Sequence, residues 1–178
     1  MVTFESGYNW KDLTTYRHYV GKACWHRGNY KELEFGMLIR QIYDDVRPAT
    51  KQEQYRHIDW VCSVGTIDVK AMKSVKRHKP RDSTKIWLEF KNSLGNYGWL
   101  YGQQDFIAFE QPKCYIMVRR SDLAELAESL CDIHTKVGTP TKALYKGYNR
   151  KDSRDLISLI KTNDLLKLQH RKIYKQKD

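Results

Sequence analysis

Apolar positions along the chain change their spacing twice, and each change marks a change of element. Over residues 30–46, Phe35, Leu38, Ile39, Ile42 and Val46 recur at helical intervals, so the spacing predicts a helix with one buried stripe. Arg47-Pro48 ends it, because the residue before a proline avoids the helical region. Three shorter runs, 55–62, 66–72 and 85–91, then alternate apolar and polar residues and read as consecutive strands joined by polar turns.

Alternation also fixes which side chains share a face. Asp68 and Lys70 point together while Ile67, Val69 and Ala71 point the other way, and Trp87, Glu89 and Lys91 oppose Ile86, Leu88 and Phe90. A two-residue turn at 64–65, or a four-residue loop at 63–66, sets Asp59 opposite Lys70 and diagonal to Asp68. A three-residue loop would throw Asp59 to the other face.

Farther on, a glycine- and aromatic-rich connection (95–102) leads to strands at 105–110 and 114–119, a hairpin turning at Gln111-Pro112-Lys113. Ser121 is the expected N-cap of a helix reaching residue 133. After a turn-rich stretch (138–149), the leucines and isoleucines of 153–168 predict a closing helix or a broken pair. The order is that of an α/β (α+β) layer architecture, a mixed central sheet flanked by helices. One domain is expected, with its core over about 30–135, an aromatic N-terminal extension (1–29) and a helical, basic C-terminal extension (136–178).

Charge changes this picture from a fold to a partner. Thirty-two Lys and Arg against 21 Asp and Glu leave +11 on 178 residues, which favours a polyanion, although solvated surface lysines give the same balance. No apolar stretch approaches the roughly 20 residues that cross a bilayer. Cys24, Cys62, Cys114 and Cys131 are scattered, and no basic flank precedes an apolar run at the N-terminus, so a reducing cytoplasm is the expected compartment. Cys24-x-His26 and Cys131-x-x-His134 lack a specific zinc spacing and read as thiols beside unrelated histidines.

The candidate chemistry lies at the ends of the first two strands. Phosphodiester hydrolysis needs a hard cation, an oriented water and a proton acceptor. Asp59 and Asp68 are the candidate metal ligands, and Lys70 would hold the water or help to deprotonate it by losing some preference for its charged form. Glu34, with Glu32 as second choice, can add an acid from the helix, and His57 lies on the Asp59 face. Asp-Val-Lys by itself is an ordinary pair of solvated charges. What sets it apart is the acid preceding it at hairpin spacing and the basic loop that follows, Lys73, Lys76, Arg77, Lys79 and Arg81, which can track phosphates. Trp99 and Tyr101 can stack on bases or plug the end of a sheet. The basic tail Lys167, Arg171, Lys172, Lys175 and Lys177 can add phosphate contacts, although terminal charge runs are usually frayed and solvated.

A helix followed by Asp59 and then Asp68-Val69-Lys70 on adjacent strands resembles the PD-(D/E)xK phosphodiesterase superfamily over residues 30–133. Residues 51–59, the Asp-Val-Lys triplet and Gly98-Trp-Leu-Tyr-Gly102 are also similar to small phage-encoded nucleases. The resemblance implies a restriction-endonuclease-like core and a Mg2+- or Mn2+-dependent endonuclease. Asp59 stands at the first acid, Asp68 at the second, Lys70 at the lysine and Glu34 at the helix acid. Ile58 replaces the proline of the namesake motif, and Leu88-Glu89-Phe90-Lys91 offers a second acid-x-Lys, so Asp68, Glu89 and Lys91 form a rival set. DNA is favoured over RNA, a homodimer is allowed, and the location is the host cytoplasm if the chain is phage-encoded. The alternatives are a catalytically silent nucleic-acid-binding protein of this fold and a basic protein-docking or inhibitor factor.

Overall fold

A computed structural model describes residues 24–76 and 78–175. Along it run helix α1 (Cys24–Ile39), strand β1 (Arg47–Pro48), the one-turn helix α2 (Lys51–Gln54), strands β2 (Trp60–Cys62), β3 (Gly65–Lys70), β4 (Lys85–Lys91), β5 (Phe106–Glu110) and β6 (Cys114–Arg119), and helix α3 (Arg120–Leu130). Strands β7 (Asp132–Val137), β8 (Lys146–Tyr148) and β9 (Leu156–Lys161), the short helix α4 (Thr162–Leu165) and strand β10 (His170–Tyr174) follow. The architecture is mixed α and β, with two mixed sheets and few helices: a six-stranded sheet in the order β1-β2-β3-β5-β6-β10 and a four-stranded sheet in the order β4-β9-β8-β7.

Each face of the six-stranded sheet has its own apolar cover. Phe35, Leu38 and Ile39 of α1 pack on Trp60, Ile67, Val69, Ala108, Tyr115 and Met117. The other face, carrying Ile107, Phe109, Ile116 and Val118, packs on Ile86, Leu88 and Phe90 of β4, on Ile160 of β9 and on Leu123 and Ala127 of α3. Asp68 lies beside Ile107 in the parallel β3–β5 ladder. Its face is therefore the one turned toward the second sheet, and β3 is enclosed from both sides.

Two local devices fix that strand. The β2–β3 hairpin turns in two residues, Ser63-Val64, since Cys62 pairs with Gly65; Gly65 sits at φ +134°, where an L side chain is strained. Asp105 Oδ2 accepts from Thr66 N at 2.8 Å and from Thr66 Oγ1 at 2.7 Å, pinning the start of β3 to the start of β5.

Several elements differ from the expected ones, each for a physical reason. The first helix starts and stops earlier than residues 30–46: Tyr43 N reaches back to the Ile39 carbonyl, Asp45 takes φ +54°, and Ile42 is exposed, so the stripe ends at Ile39. Residues 55–62 are not one strand, because Thr50 and Glu53 form a capping box that nucleates α2 and leaves only Trp60–Cys62 to pair. Lys85–Lys91 is a strand, but it pairs with β9 in the second sheet. One face of the six-stranded sheet is thus covered mainly by another sheet, not by a helix. Arg119, not Ser121, caps α3, which ends at Leu130.

The largest difference is at the C-terminus. Residues 153–168 do not form a closing helix: Leu156, Ile157, Ser158, Leu159 and Ile160 are all buried, and a short apolar run enclosed on both faces suits a central strand. Nor is the basic tail frayed, since Arg171 and Lys172 lie in β10, paired along β6. The segment after residue 135 is interleaved with the preceding core and is not a helical extension. Arg77, Lys177, the aromatic N-terminal segment and the side chains of Cys24 and His26 lie outside the described residues.

Candidate active site

The ladder between β2 and β3 stops at Trp60–Ile67, but Asp59, just before it, still bonds to β3. Asp59 N donates to the Ile67 carbonyl at 2.9 Å, while Asp59 Oδ2 accepts from Val69 N at 2.7 Å. These two bonds hold Asp59 against β3, close enough to Asp68 for each carboxyl to shift the other's titration. Lys70, two residues on and on the same face, donates to Asp68 Oδ1 at 2.8 Å and stands 2.7 Å from Oδ2. Its ammonium lies over the Trp99 ring, 5.2 Å from the centroid.

Burial and like charge set the protonation of this group. Asp59 is pushed up to about 7, by burial first and by the Asp68 charge second. Asp68, 2% exposed, is also raised by burial, against the opposing pull of Lys70. Burial acts to lower the Lys70 pKa, but Asp68 and Asp59 outweigh it and raise the group above its ordinary value. Lys70 is therefore held as an ammonium, the form that can hold a water.

Of the two candidate helix acids, Glu32 lies within electrostatic reach of Asp59, Asp68 and Lys70. Glu32 is raised to about 7 by burial and by the Asp59 charge, with Lys70 pulling the other way, and its charge in turn raises Asp68. Glu34, two residues along α1, points to a different cluster: it takes Lys31 Nζ at 2.9 Å and the Tyr115 hydroxyl at 2.5 Å, with Lys175 at 3.6 Å. The signal for Glu32 lay in Gly36 and Trp60. A Cβ on Gly36 would overlap the Trp60 indole, and Trp60 Nε1 donates to the Glu32 carbonyl at 2.9 Å. That contact lays α1 against β2 with Glu32 at the Asp59 end.

The rival set does not assemble. A register shift falls between Glu89 and Lys91 in β4, and Lys91 is exposed. Glu89 does face the site, since its charge raises both Lys70 and His57. Burial, together with Lys70, lowers the His57 pKa and favours a neutral imidazole.

Among the expected nucleic-acid contacts, Lys73, Lys76, Lys79 and Arg81 are exposed on the loop after β3. Trp99 is not a stacking surface: it is buried against Phe109 and supports Lys70. Tyr101 is held by Glu128 at 2.9 Å, while Tyr97, edge-on to it at 5.5 Å, is exposed. In the glycine-rich connection Trp99 and Leu100 join the core, and Gly98 is needed there because a Cβ would overlap the Glu89 backbone.

Asp68 Oδ2 is buried without an aligned hydrogen bond. That oxygen is answered by the Lys70 ammonium at 2.7 Å, and the two neighbouring carboxyls are hard donors of the kind Mg2+ or Mn2+ takes. Among the described residues no group of three or more His, Cys, Asp or Glu side chains is gathered closely enough to hold a metal ion. The protein thus offers two carboxylates, and water or substrate oxygens would complete the coordination. No protein-family model, no curated protein and no solved structure matches this chain.

Proposed function

We propose that the chain is a divalent-metal-dependent nuclease with a restriction-endonuclease-like core, acting on DNA in preference to RNA. The supporting observation is the buried apposition of the Asp59 and Asp68 carboxyls with the charged Lys70 on the same face. Two carboxylates are what magnesium takes from a protein when phosphate and water supply the other ligands. When bound, such a cation neutralises charge developing on the phosphate oxygens and acidifies a ligated water. Asp59 and Asp68 would hold it.

Lys70, kept as an ammonium by Asp68, has the charge to grip a phosphate oxygen or orient the attacking water. Glu32, at about 7, is matched to accepting that water's proton near neutrality. The exposed lysines of residues 73–79 extend positive charge from the end of β3 along a bound backbone. Among the described residues no helix is long and apolar enough to cross a membrane, in keeping with action on nucleic acid in a cytoplasm. A second reading, a nucleic-acid-binding protein of the same fold without catalysis, draws on the finding that among the described residues no third His, Cys, Asp or Glu joins the pair closely enough to hold a metal ion.

Cleavage of circular duplex DNA, circular single-stranded DNA and RNA in magnesium, manganese or EDTA separates the two. Metal-dependent nicking that disappears in Asp68→Asn supports the nuclease. Intact circles and intact linear substrates in every metal, with binding retained, would leave the silent binder.

A further inference from the structure

A second cavity of about 620 Å³ opens beyond the candidate active site, between the β5–β6 hairpin and the ends of β4 and β9. Four lysines line it: Lys85, Lys113, Lys161 and Lys172. Lys85 is paired with Asp82 at 2.9 Å, whereas Lys113, Lys161 and Lys172 form no ion pair among the described residues. Ile116 and Leu166 supply apolar wall. Lysines facing an open cavity without carboxylates to neutralise them form a local positive field that attracts a polyanion.

This cavity is not isolated. Lys85 and Gln111 belong to its wall and also to the wall of the cleft that contains Lys70, Trp99 and Trp87. Lys85 and Gln111 therefore stand between Lys70 and the remaining lysines, so a strand lying in the cavity ends beside the candidate active site. The volume lies within the roughly 300–1,000 Å³ of ligand pockets, too narrow for a duplex but open to one strand. Ammonium groups can take the phosphates while the apolar wall takes sugar and base faces.

We infer that this lysine-lined cavity is a binding groove for a single strand of nucleic acid running to or from the candidate active site. It rests on the nuclease reading only for the chemistry at the Lys70 end. The substrate class that follows is nucleic acid with a single-stranded arm, such as a flap, a splayed end or a fork.

The test is fluorescence anisotropy in EDTA, where no cleavage intervenes, with labelled oligothymidylate and a duplex of the same length. The wild type should bind the single strand more tightly than the duplex. Lys113→Ala/Lys172→Ala should weaken single-strand binding about tenfold and reduce the salt slope by about 1.4, two phosphates at about 0.7 each. A variant that binds the strand as the wild type does, with unchanged slope, overturns the groove, as does saturable binding of mononucleotide alone with no strand binding.

Cys114, half-buried in the groove wall, gives a readout on the unaltered protein. Single strand, but not duplex, should slow its alkylation as followed by peptide mass mapping, and unchanged labelling counts against the groove. If no metal supports cleavage yet the double variant loses strand binding, the nuclease falls and the groove stands. If cleavage occurs but the double variant cuts and binds forked DNA as the wild type does, the groove alone falls.

Discussion

Residue by residue, the candidate site is a contest between burial and charge. Asp59 and Glu32, both raised to about 7, hold protons more tightly in the fold than in the unfolded chain, where their values are near 3.8 and 4.5. Between those limits the folded state binds more protons, so this contribution to stability is full at low pH and is lost as pH rises through about 7. In EDTA, Asp59→Asn should flatten the decline and raise the melting temperature at about pH 8 by several degrees, at about 2–4 °C per kcal/mol, with little change at about pH 3, below the unfolded value. Calorimetry at both pH values checks this, and equal shifts at the two would refute it. Magnesium should protect wild type at the higher pH and not Asp68→Asn. Asp68→Asn should also lower cleavage at least a hundredfold, in the range lost with a key electrostatic group, with its circular dichroism spectrum unchanged.

At the scale of elements, positions set by close backbone approach bring the site together. Gly36 admits the Trp60 indole into the flank of α1, and Trp60 fixes where Glu32 lands. Alanine in a helix interior is ordinarily stabilising by up to about 1 kcal/mol over glycine. Here the added methyl collides with the ring, and Gly36→Ala should instead cost about 1–3 kcal/mol. A urea midpoint that rises on this substitution would mean that the helix does not rest on the indole. Gly98 holds the Trp99–Tyr101 turn against the Glu89 backbone in the same way. The buried Trp99 is thereby placed beneath Lys70, which is why an aromatic expected to meet bases faces inward.

At the scale of the whole molecule, Glu110 joins segments distant in sequence. Its carboxylate meets Arg27 at 2.5 Å, Lys31 at 3.1 Å and Lys175 at 3.2 Å, and accepts Met72 N at 2.9 Å. Burial alone would raise its pKa, but the Met72 amide and the three cations outweigh this and hold it below the ordinary carboxylate range. That stability is present above the unfolded value of 4.5 and is lost as pH falls through the folded one. Glu110→Gln leaves three cations around a neutral amide and should destabilise the fold by about 3–5 kcal/mol at neutral pH, with a smaller difference from wild type in acid. Denaturant titrations at the two pH values test the claim, and a pH-independent loss would trace it to packing instead.

The sequence by itself determined what local spacing can carry. Alternation placed Asp68 and Lys70 on one face, buried Ile86, Leu88 and Phe90 together, and marked the β5–β6 hairpin, because a strand's two-residue period is a property of the backbone. The even turn length was also foreseeable, but the turn falls at Ser63-Val64, one residue earlier than a turn at 64–65, so the register carries Asp59 toward Asp68 and not opposite Lys70.

Tertiary structure decided the rest. Whether residues 153–168 become helix or strand depends on what encloses them, and β4 on one side with β8 on the other makes their core a central strand. Which glutamate of α1 reaches the acids depends on the rotation of a helix about its axis, fixed by Gly36 meeting Trp60. Whether Lys70 keeps its proton depends on two carboxylates that converge on it only when the strands pair. Spacing along a chain fixes faces, whereas enclosure, rotation and charge state belong to neighbours that folding supplies.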